Sequence, residues 1–342
     1  MIKKTSLSDI AQKLGVSKTL VSLVLNGKGK EHRISDVVCK KVMEVAREMN
    51  YQPNQLAKSL RTGKTNTIGL IIADIANPFF GKLGREIEKE AARKGYRVMF
   101  CSSDESAEKS KLQIEMMLQG HVDGFIISPP MNSEEQIRDL SRSNKPFVLI
   151  DRFFPEIDSN YIIVDNQEAA YNATTHLIAR GYKKIACITV NADLVNMKDR
   201  LIGYKKALLD SGIKLDKNLV KELQFSHESK DVFKAIKQLT GKNKDCIDAI
   251  LFTTSKVGIM GIESLNVLGL NIPNDIAIVS FDDPDAYKIC YSPVTTMAQP
   301  LTEIGKMAVQ VLLAEIKNPG SSIKTQKITL KTNFVIRKSC GS

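Results

Sequence analysis

Apolar residues in the first fifty positions recur at helical spacing and are separated by residues that end and begin helices. Leu7–Leu14 has one apolar face, Gly15 ends that helix, and Ser17 is placed to cap the next. Lys18–Leu25 continues the pattern, and a third amphipathic helix is expected from about residue 35 to 49. The spacing and the short Gly-containing turn predict a helix-turn-helix.

From Thr67 onward the pattern changes to short apolar runs that alternate with amphipathic helical segments. The runs are residues 68–72, 96–100, 124–127, 146–150, 184–188, 249–252 and 276–280. Near-continuous apolar strands separated by helices indicate parallel sheets covered on both faces. One sheet would be unusually wide for so many units. The expected fold is therefore α/β with two doubly wound lobes, and a ligand is expected at the strand ends between them.

Charge is concentrated at one end of the chain. The formal net charge is +11, and residues 1–64 hold 13 Lys and Arg against 5 Asp and Glu. Such an excess beside a helix-turn-helix favours binding to a polyanion with release of counterions. An ordinary solvated basic helix pair is the structural alternative.

Other chemistries are poorly represented in the sequence. The six cysteines show no CxxC or Cys/His ligand spacing, which favours free thiols in a reducing cytoplasm. No signal peptide and no run of about 18 apolar residues is present. Nucleophile-elbow and phosphate-loop motifs are missing, so no catalytic residue, metal site or cofactor is predicted.

The chain resembles LacI/GalR-type bacterial transcriptional regulators almost from end to end. Motifs in the expected order carry the resemblance: Asp9-Ile10-Ala11, Gly15-Val16-Ser17, Tyr51-Gln52-Pro53-Asn54, Asn77-Pro78-Phe79-Phe80, Val164-Asp165-Asn166, Phe281-Asp282-Asp283 and Thr295 to Pro300. It implies a helix-turn-helix domain (1–53), a hinge helix with linker (54–64) and an effector-binding core (65–342) like the periplasmic binding proteins. Lobe 1 is expected at about 65–163 and 293–325, and lobe 2 at about 164–292 and 326–342.

The resemblance also implies DNA contacts. They fall on Thr5, Ser17, Lys18, Thr19, Ser22, Leu23, Asn26, Tyr51, Asn54, Ala57 and Leu60. Leu60 lies where the family inserts a leucine into the minor groove to kink the duplex, and packing against a partner's hinge is the alternative role. Two departures bear on the operator. Leu23 replaces the family's usual Arg, and the loop of residues 27–33 is longer and basic; its lysines either contact phosphates or are simply solvated.

Effector contacts are implied in the same way. They fall on Asn77, Phe79, Phe80, Asp151, Arg200, Phe225, Ser255, Asp282 and Gln299. Carboxylates, a guanidinium and aromatic rings suit a polyhydroxylated ligand, although strand-end carboxylates also cap helices. Ser255-Lys256 stands where the family commonly has Asn-Asp. If Lys256 faces the cleft, a ligand with a carboxylate or phosphate is favoured; if it faces solvent, the change is silent.

These features predict a cytoplasmic, homodimeric regulator that binds pseudo-palindromic operator DNA. A two-fold pair of reading heads gives specificity that one head lacks. The expected effector is a sugar or sugar derivative, with a purine or phosphorylated metabolite as the alternative. A transport binding protein would share the core but would need a signal peptide, and an enzyme would need a nucleophile or cofactor loop.

Overall fold

A computed structural model describes residues 5–52, 63–191, 194–224, 228–241, 247–318 and 325–341. The chain forms two compact units, one within residues 1–65 and the other within residues 66–342. The predicted hinge helix falls on residues outside the described ranges, apart from Gly63 and Lys64.

Three helices form the first unit: α1 (Leu7–Leu14), α2 (Lys18–Leu25) and α3 (Asp36–Glu48). Ser6 caps α1 in a capping box with Asp9, and Gly15 ends it with a left-handed backbone at φ 66°. The small core contains Ile10, Val21 and Val42, all at most 1% exposed. The sequence-based helices of this unit are confirmed.

The second unit contains two six-stranded sheets. The first has the strand order β11-β5-β4-β3-β1-β2, and the second has β12-β10-β9-β8-β6-β7. The first sheet uses β1 (Thr67–Ile72), β2 (Arg97–Ser102), β3 (Gly124–Ile127), β4 (Phe147–Ile150), β5 (Tyr161–Val164) and β11 (Lys327–Leu330). The second uses β6 (Ile185–Asn191), β7 (Val220–Gln224), β8 (Ala249–Phe252), β9 (Ala277–Phe281), β10 (Thr295–Ala298) and β12 (Asn333–Val335).

Helices cover both sheets. Those that follow strands of the first sheet are α4 (Pro78–Arg93), α5 (Ala107–Gln119) and α6 (Glu134–Arg142), and α12 (Leu301–Lys317) packs beside α4. The second lobe has α7 (Asn166–Ala179), α8 (Val195–Asp210), α9 (Ser229–Leu239), α10 (Ser255–Val267) and α11 (Ala286–Ile289). All described strand pairs are parallel except β10 with β12. The doubly wound, two-lobed fold is therefore as predicted.

Two strands lie in the other lobe from the one expected. β10 pairs with β9, since Thr296 is opposite Ser280, so this segment belongs to lobe 2 and not to lobe 1. β11 pairs with β5, since Ile328 is opposite Ile162, so it belongs to lobe 1. The predicted lobe boundaries near residues 293 and 326 were wrong because apolar pattern identifies a strand but does not identify its partner. The chain thus crosses between the lobes after β5, β10 and β11.

Candidate functional site

The first candidate site is the outer surface of α2. Ser17 caps this helix, accepting from the Leu20 amide at 3.1 Å, and the turn from Gly15 holds α2 against α1. Lys18 and Thr19 are exposed at its N-terminal end, and Ser22 and Leu23 are half-buried farther along. An exposed helix end with short polar and basic side chains is suited to reach base edges and phosphates in a major groove.

Four of the predicted DNA contacts also hold the domain together. Thr5 Oγ1 donates to the Met49 carbonyl at 2.8 Å, and Asn26 Nδ2 donates to the Ser22 carbonyl at 2.7 Å. Tyr51 packs against the three-helix core, where burial raises the pKa of its hydroxyl. Ser17 has its capping role. Asn54, Ala57 and Leu60 lie outside the described residues.

The second candidate site is a cavity between the lobes at the carboxyl ends of the strands. Lobe 1 contributes Asn77, Phe79, Phe80 and Asp151, and lobe 2 contributes Arg200. The cavity has a volume of about 70 Å³ and continues into an outer mouth of about 390 Å³. Asp282, Phe79 and Gln299 line both spaces, and Ser255 lines the mouth. Eight of the nine predicted effector residues are thus gathered here; Phe225 is outside the described residues.

Local sequence explains how several of these side chains are placed. Asn77 caps α4, accepting from the Phe79 amide at 3.0 Å, and Pro78 occupies the first helical position. Asp151 and Asp282 each follow a buried strand and adopt left-handed backbone conformations, with φ 68° and 64°. This backbone conformation is uncommon for non-glycine residues, although Asp adopts it more often than most.

Arg200 is the central group of the lobe 2 wall. Only 2% of the residue is exposed; Nε donates to Asn166 Oδ1 at 2.8 Å and Nη1 donates to the Thr253 carbonyl at 2.6 Å. Its guanidinium carbon lies 4.1 Å from the centroid of the Phe281 ring. Nη2 has no hydrogen bond to any described residue, so one face of a charged donor remains available to a ligand.

Asp282 is held beside Arg200 by neutral donors. Gln299 Nε2 donates to Oδ1 at 2.8 Å, and Ser255 Oγ donates to Oδ2 at 3.1 Å. Burial raises the pKa of Asp282, and the positive charge of Arg200 opposes that rise. Burial likewise lowers the pKa of Arg200, against the charges of Asp282 and Asp151. The opposite charges of Arg200 and Asp282 therefore offset part of the cost of burying each group.

The structure adds three residues that the sequence-based prediction missed. Arg152 binds Glu105 through two hydrogen bonds of 2.8 Å and also donates to Asp151 at 3.2 Å. Burial opposes its charge, but Glu105 and Asp151 together raise the pKa of Arg152. Asn196 of lobe 2 donates to Asp151 Oδ1 at 3.1 Å and so bridges the lobes. The only sequence signal was the position of Arg152 and Glu105 just after strands.

Lys256 lies on the cleft side of lobe 2. It lines the cavity, and its Nζ is 3.5 Å from Asp74 Oδ2 of lobe 1. A second ion pair between the lobes joins Lys82 to Asp285 at 3.0 Å beside the outer mouth. Of the two alternatives for Lys256, the structure supports the cleft-facing one.

Two residues of the α7 region have partners from distant parts of the chain. Asp165 stands at the start of α7, but its side chain makes no capping bond and accepts from the Thr332 amide at 2.9 Å. Thr332 lies between β11 and β12. His176 is half-buried and lies 3.1 Å from Cys340 Sγ. Across the described ranges, no helix is long and apolar enough to cross a membrane, and no cluster of three His, Cys, Asp or Glu residues could hold a metal ion.

Comparison with known proteins agrees with a helix-turn-helix unit followed by a two-lobed core. A family model described as bacterial regulatory proteins of the lacI family matches residues 6–54. A second, described as periplasmic binding proteins and sugar binding domain of the LacI family, matches residues 65–338.

Full-length relatives share the same organisation. The HTH-type transcriptional regulator DegA of Bacillus subtilis (strain 168) is 32% identical over 341 residues, which cover 98% of each chain. The ribose operon repressor of Haemophilus influenzae is 30% identical over 98% of this chain and 99% of its own. The crystal structure of the Lac repressor dimer bound to operator and the anti-inducer ONPF superposes with a TM-score of 0.84, at 24% identity and with 99% of both chains covered. This match shows that the two proteins share a fold. The chain therefore belongs to the LacI family of bacterial regulatory proteins and is a DNA-binding transcriptional regulator, not an enzyme.

Proposed function

We propose that this regulator represses genes of carbohydrate use and that a sugar or sugar derivative, bound between the lobes, controls its affinity for the operator. The carrying observation is the buried Arg200, which lines a cavity between the lobes and whose Nη2 has no hydrogen bond to a described residue. Carboxylates at Asp151 and Asp282 are positioned to accept from hydroxyls, and Phe79 and Phe80 offer apolar faces. That mixture suits a polyhydroxylated ligand.

DNA reading is assigned to α2. Lys18 and Thr19 enter the major groove first because they are exposed at the helix N-terminus. Leu23, at a position where the family usually has Arg, replaces a charged donor with an apolar contact, for which a thymine methyl group is the natural partner. This change supports an operator that differs from the common one at that base pair. We propose a cytoplasmic location, because a bacterial regulator meets its operator DNA there.

Dimerisation is supported by apolar surface that the single chain leaves uncovered. On lobe 1, Phe100 of β2 and Leu112 and Met116 of α5 are 37%, 65% and 50% exposed. On lobe 2, Ile289 at the end of α11 and Tyr291 just after it are almost wholly exposed. A second copy that covers both groups would bury apolar area and present two reading heads to a pseudo-palindrome.

Control follows from the position of the cavity. The Asn196–Asp151 hydrogen bond and the Lys256–Asp74 ion pair join the lobes beside it, so a bound ligand contacts both sides of a movable junction. A ligand that binds one lobe arrangement more tightly than another increases the population of the first. Operator affinity then changes if the two arrangements bind DNA with different affinities.

Operator titrations of the full-length protein test this proposal. A thermal-shift screen of sugars and their derivatives first identifies the best ligand, since a ligand stabilises the folded state by mass action. That ligand should change operator affinity in the wild type, and Arg200→Ala should respond only at concentrations at least about tenfold higher. A mutant that responds at the wild-type concentration would exclude Arg200 as an effector contact. Removing residues 1–64 should abolish operator binding and leave ligand binding intact.

A further inference from the structure

Most of the polar groups around the cavity are already used by the protein. On the lobe 1 wall, Glu105 is bound by both terminal nitrogens of Arg152, and Asp151 accepts from Arg152 and Asn196. On the lobe 2 wall, both oxygens of Asp282 accept from protein donors. These carboxylates can still accept from hydroxyl groups, because each has about four lone-pair sites. The donors that lack a partner among the described residues therefore decide which ligand fits best.

Two unused donors are cationic and lie on the same wall. Arg200 keeps Nη2 free of hydrogen bonds to the described residues, although the residue is 98% buried and lines the cavity. Lys256 has a single partner in the described ranges, Asp74, at a distance of 3.5 Å that is long for a charged hydrogen bond. Its ammonium group therefore has further donor capacity toward the cavity.

The backbone around Lys256 adds to this positive wall. Lys256 is the second residue of α10, a helix of 13 residues whose N-terminal end lies at the cavity. Thr254 caps the amide of Val257 at 3.3 Å, whereas the amide of Lys256 has no acceptor among the described residues. The Ser255 amide already donates to Asp282 Oδ2 at 3.4 Å, so the Lys256 amide is the first-turn donor that has no acceptor among the described residues. This amide and the helix dipole favour an anion at this end.

The two walls differ in charge. Lobe 2 presents Arg200 and Lys256 against the carboxylate of Asp282. Lobe 1 presents three carboxylates, those of Asp74, Glu105 and Asp151, against Arg152 alone. A ligand with an anionic group would therefore direct that group to lobe 2 and its hydroxyl donors to lobe 1.

We propose that the effector carries a carboxylate or phosphate group that binds Arg200 Nη2, Lys256 Nζ and the backbone amide of Lys256, while its hydroxyl groups face lobe 1. This inference rests on the proposed function and narrows its ligand class from sugars to acidic or phosphorylated sugars. The Ser255-Lys256 pair explains why this chain would prefer an anionic ligand. The Asn-Asp pair that the family commonly has at these positions would place a carboxylate where this chain has an ammonium group.

Inorganic phosphate is the first probe, since it contains the recognised group without the stereochemistry of a sugar. Thermal unfolding of the full-length protein is followed against phosphate at constant ionic strength set with chloride. Wild-type protein should be stabilised, and Lys256→Gln should need at least about tenfold more phosphate for half the effect. Lys256→Arg, which keeps the charge, should restore most of the response if the site is otherwise intact.

Lys94→Gln is the matched control. Lys94 is also partly exposed and ion-paired, with Glu90 at 3.9 Å, but it does not line the cavity. Phosphate bound at the basic reading head would stabilise all variants equally. A wild-type protein that ignores phosphate, or a response of the same size in Lys256→Gln, overturns the inference.

Calorimetry with matched triplets then separates the two anionic groups. Each triplet contains a neutral hexose, its uronate and its 6-phosphate. The uronate or the phosphate should bind at least about tenfold more tightly than the neutral sugar, and Lys256→Gln should remove that advantage. If a neutral sugar binds best, is unaffected by Lys256→Gln and changes operator affinity, the proposed function stands and the anionic ligand is wrong. If operator affinity responds to no ligand, the proposed function itself fails.

Discussion

Arg200→Met removes the buried guanidinium at the centre of the cavity while keeping an unbranched side chain in place. Two buried acceptors, Asn166 Oδ1 and the Thr253 carbonyl, would lose their donor. Each unsatisfied acceptor costs about 1–3 kcal/mol. Removing a buried charge recovers part of its desolvation penalty. We therefore expect a loss of about 2–4 kcal/mol in the free energy of unfolding, or a fall in Tm of roughly 5–10 °C for a unit of this size.

The loss should also depend on pH because Asp282 lies beside Arg200. Burial already raises the folded-state pKa of Asp282 above its ordinary 3.8, and without Arg200 that pKa rises further. As pH increases from 3.8 through the folded-state value, the unfolded chain releases this proton first, so stability falls. The pH range over which stability falls therefore extends to higher pH in Arg200→Met. Its deficit relative to wild type should consequently be smaller near pH 4 than near pH 7.

Urea unfolding followed by circular dichroism at several pH values measures both effects. Arg142→Met is the control, because Arg142 pairs with Glu135 and Asp139 on an exposed helix face and should leave stability nearly unchanged. Measured in the Asp282→Asn background, with Asp282→Asn as the reference, the deficit caused by Arg200→Met should no longer depend on pH. A variant within about 0.5 kcal/mol of wild type at all pH values would show that the described hydrogen bonds of Arg200 do not form.

Three further predictions follow from the structure. Lys18→Ala should weaken operator binding and, if Lys18 contacts a phosphate, lower the slope of log K against log salt by about 0.9; an unchanged slope together with relaxed sequence preference would indicate a base contact. Gly203→Ala should destabilise the core by several kcal/mol in the same unfolding assay, because its Cβ would lie 2.1 Å from the Gln167 carbonyl oxygen. Gly81→Ala is the control: with open space around its Cβ, it should be neutral or stabilising by up to about 1 kcal/mol. Burial and the charge of Arg180 lower the folded-state pKa of His176 below its ordinary 6.5, so the contribution of His176 to stability is complete above pH 6.5 and is lost as pH falls through the folded-state pKa. His176→Gln should flatten the stability profile in this pH range. An unchanged profile would contradict the lowered pKa.

Local sequence was sufficient to predict the reading head. The cap at Ser17, the break at Gly15 and the apolar spacing around Ile10 and Val21 all act within a few residues, so they leave a direct record in the sequence. The buried strands β1, β3, β4, β6, β8 and β9 were predicted for a similar reason, since a strand covered on both faces must be apolar along its length. The less apolar β10 was not predicted.

Family resemblance, and not periodicity, identified most of the cleft residues. The sequence alone marks Asp151 and Asp282 only as polar residues after apolar strands, and such residues frequently have structural roles. The structure distinguishes them because both adopt left-handed backbone conformations and line one cavity.

Only the tertiary structure decided which groups meet across the lobes. The exchange of β10 and β11 between sheets depends on strand partners that lie far away in sequence, and so do the contacts of Asn196 with Asp151 and of Lys256 with Asp74. Residues paired in this way show no common period or motif, because their interaction depends on how whole lobes pack. The sequence therefore determined the elements and the type of protein, whereas folding determined which donors remain free for the effector.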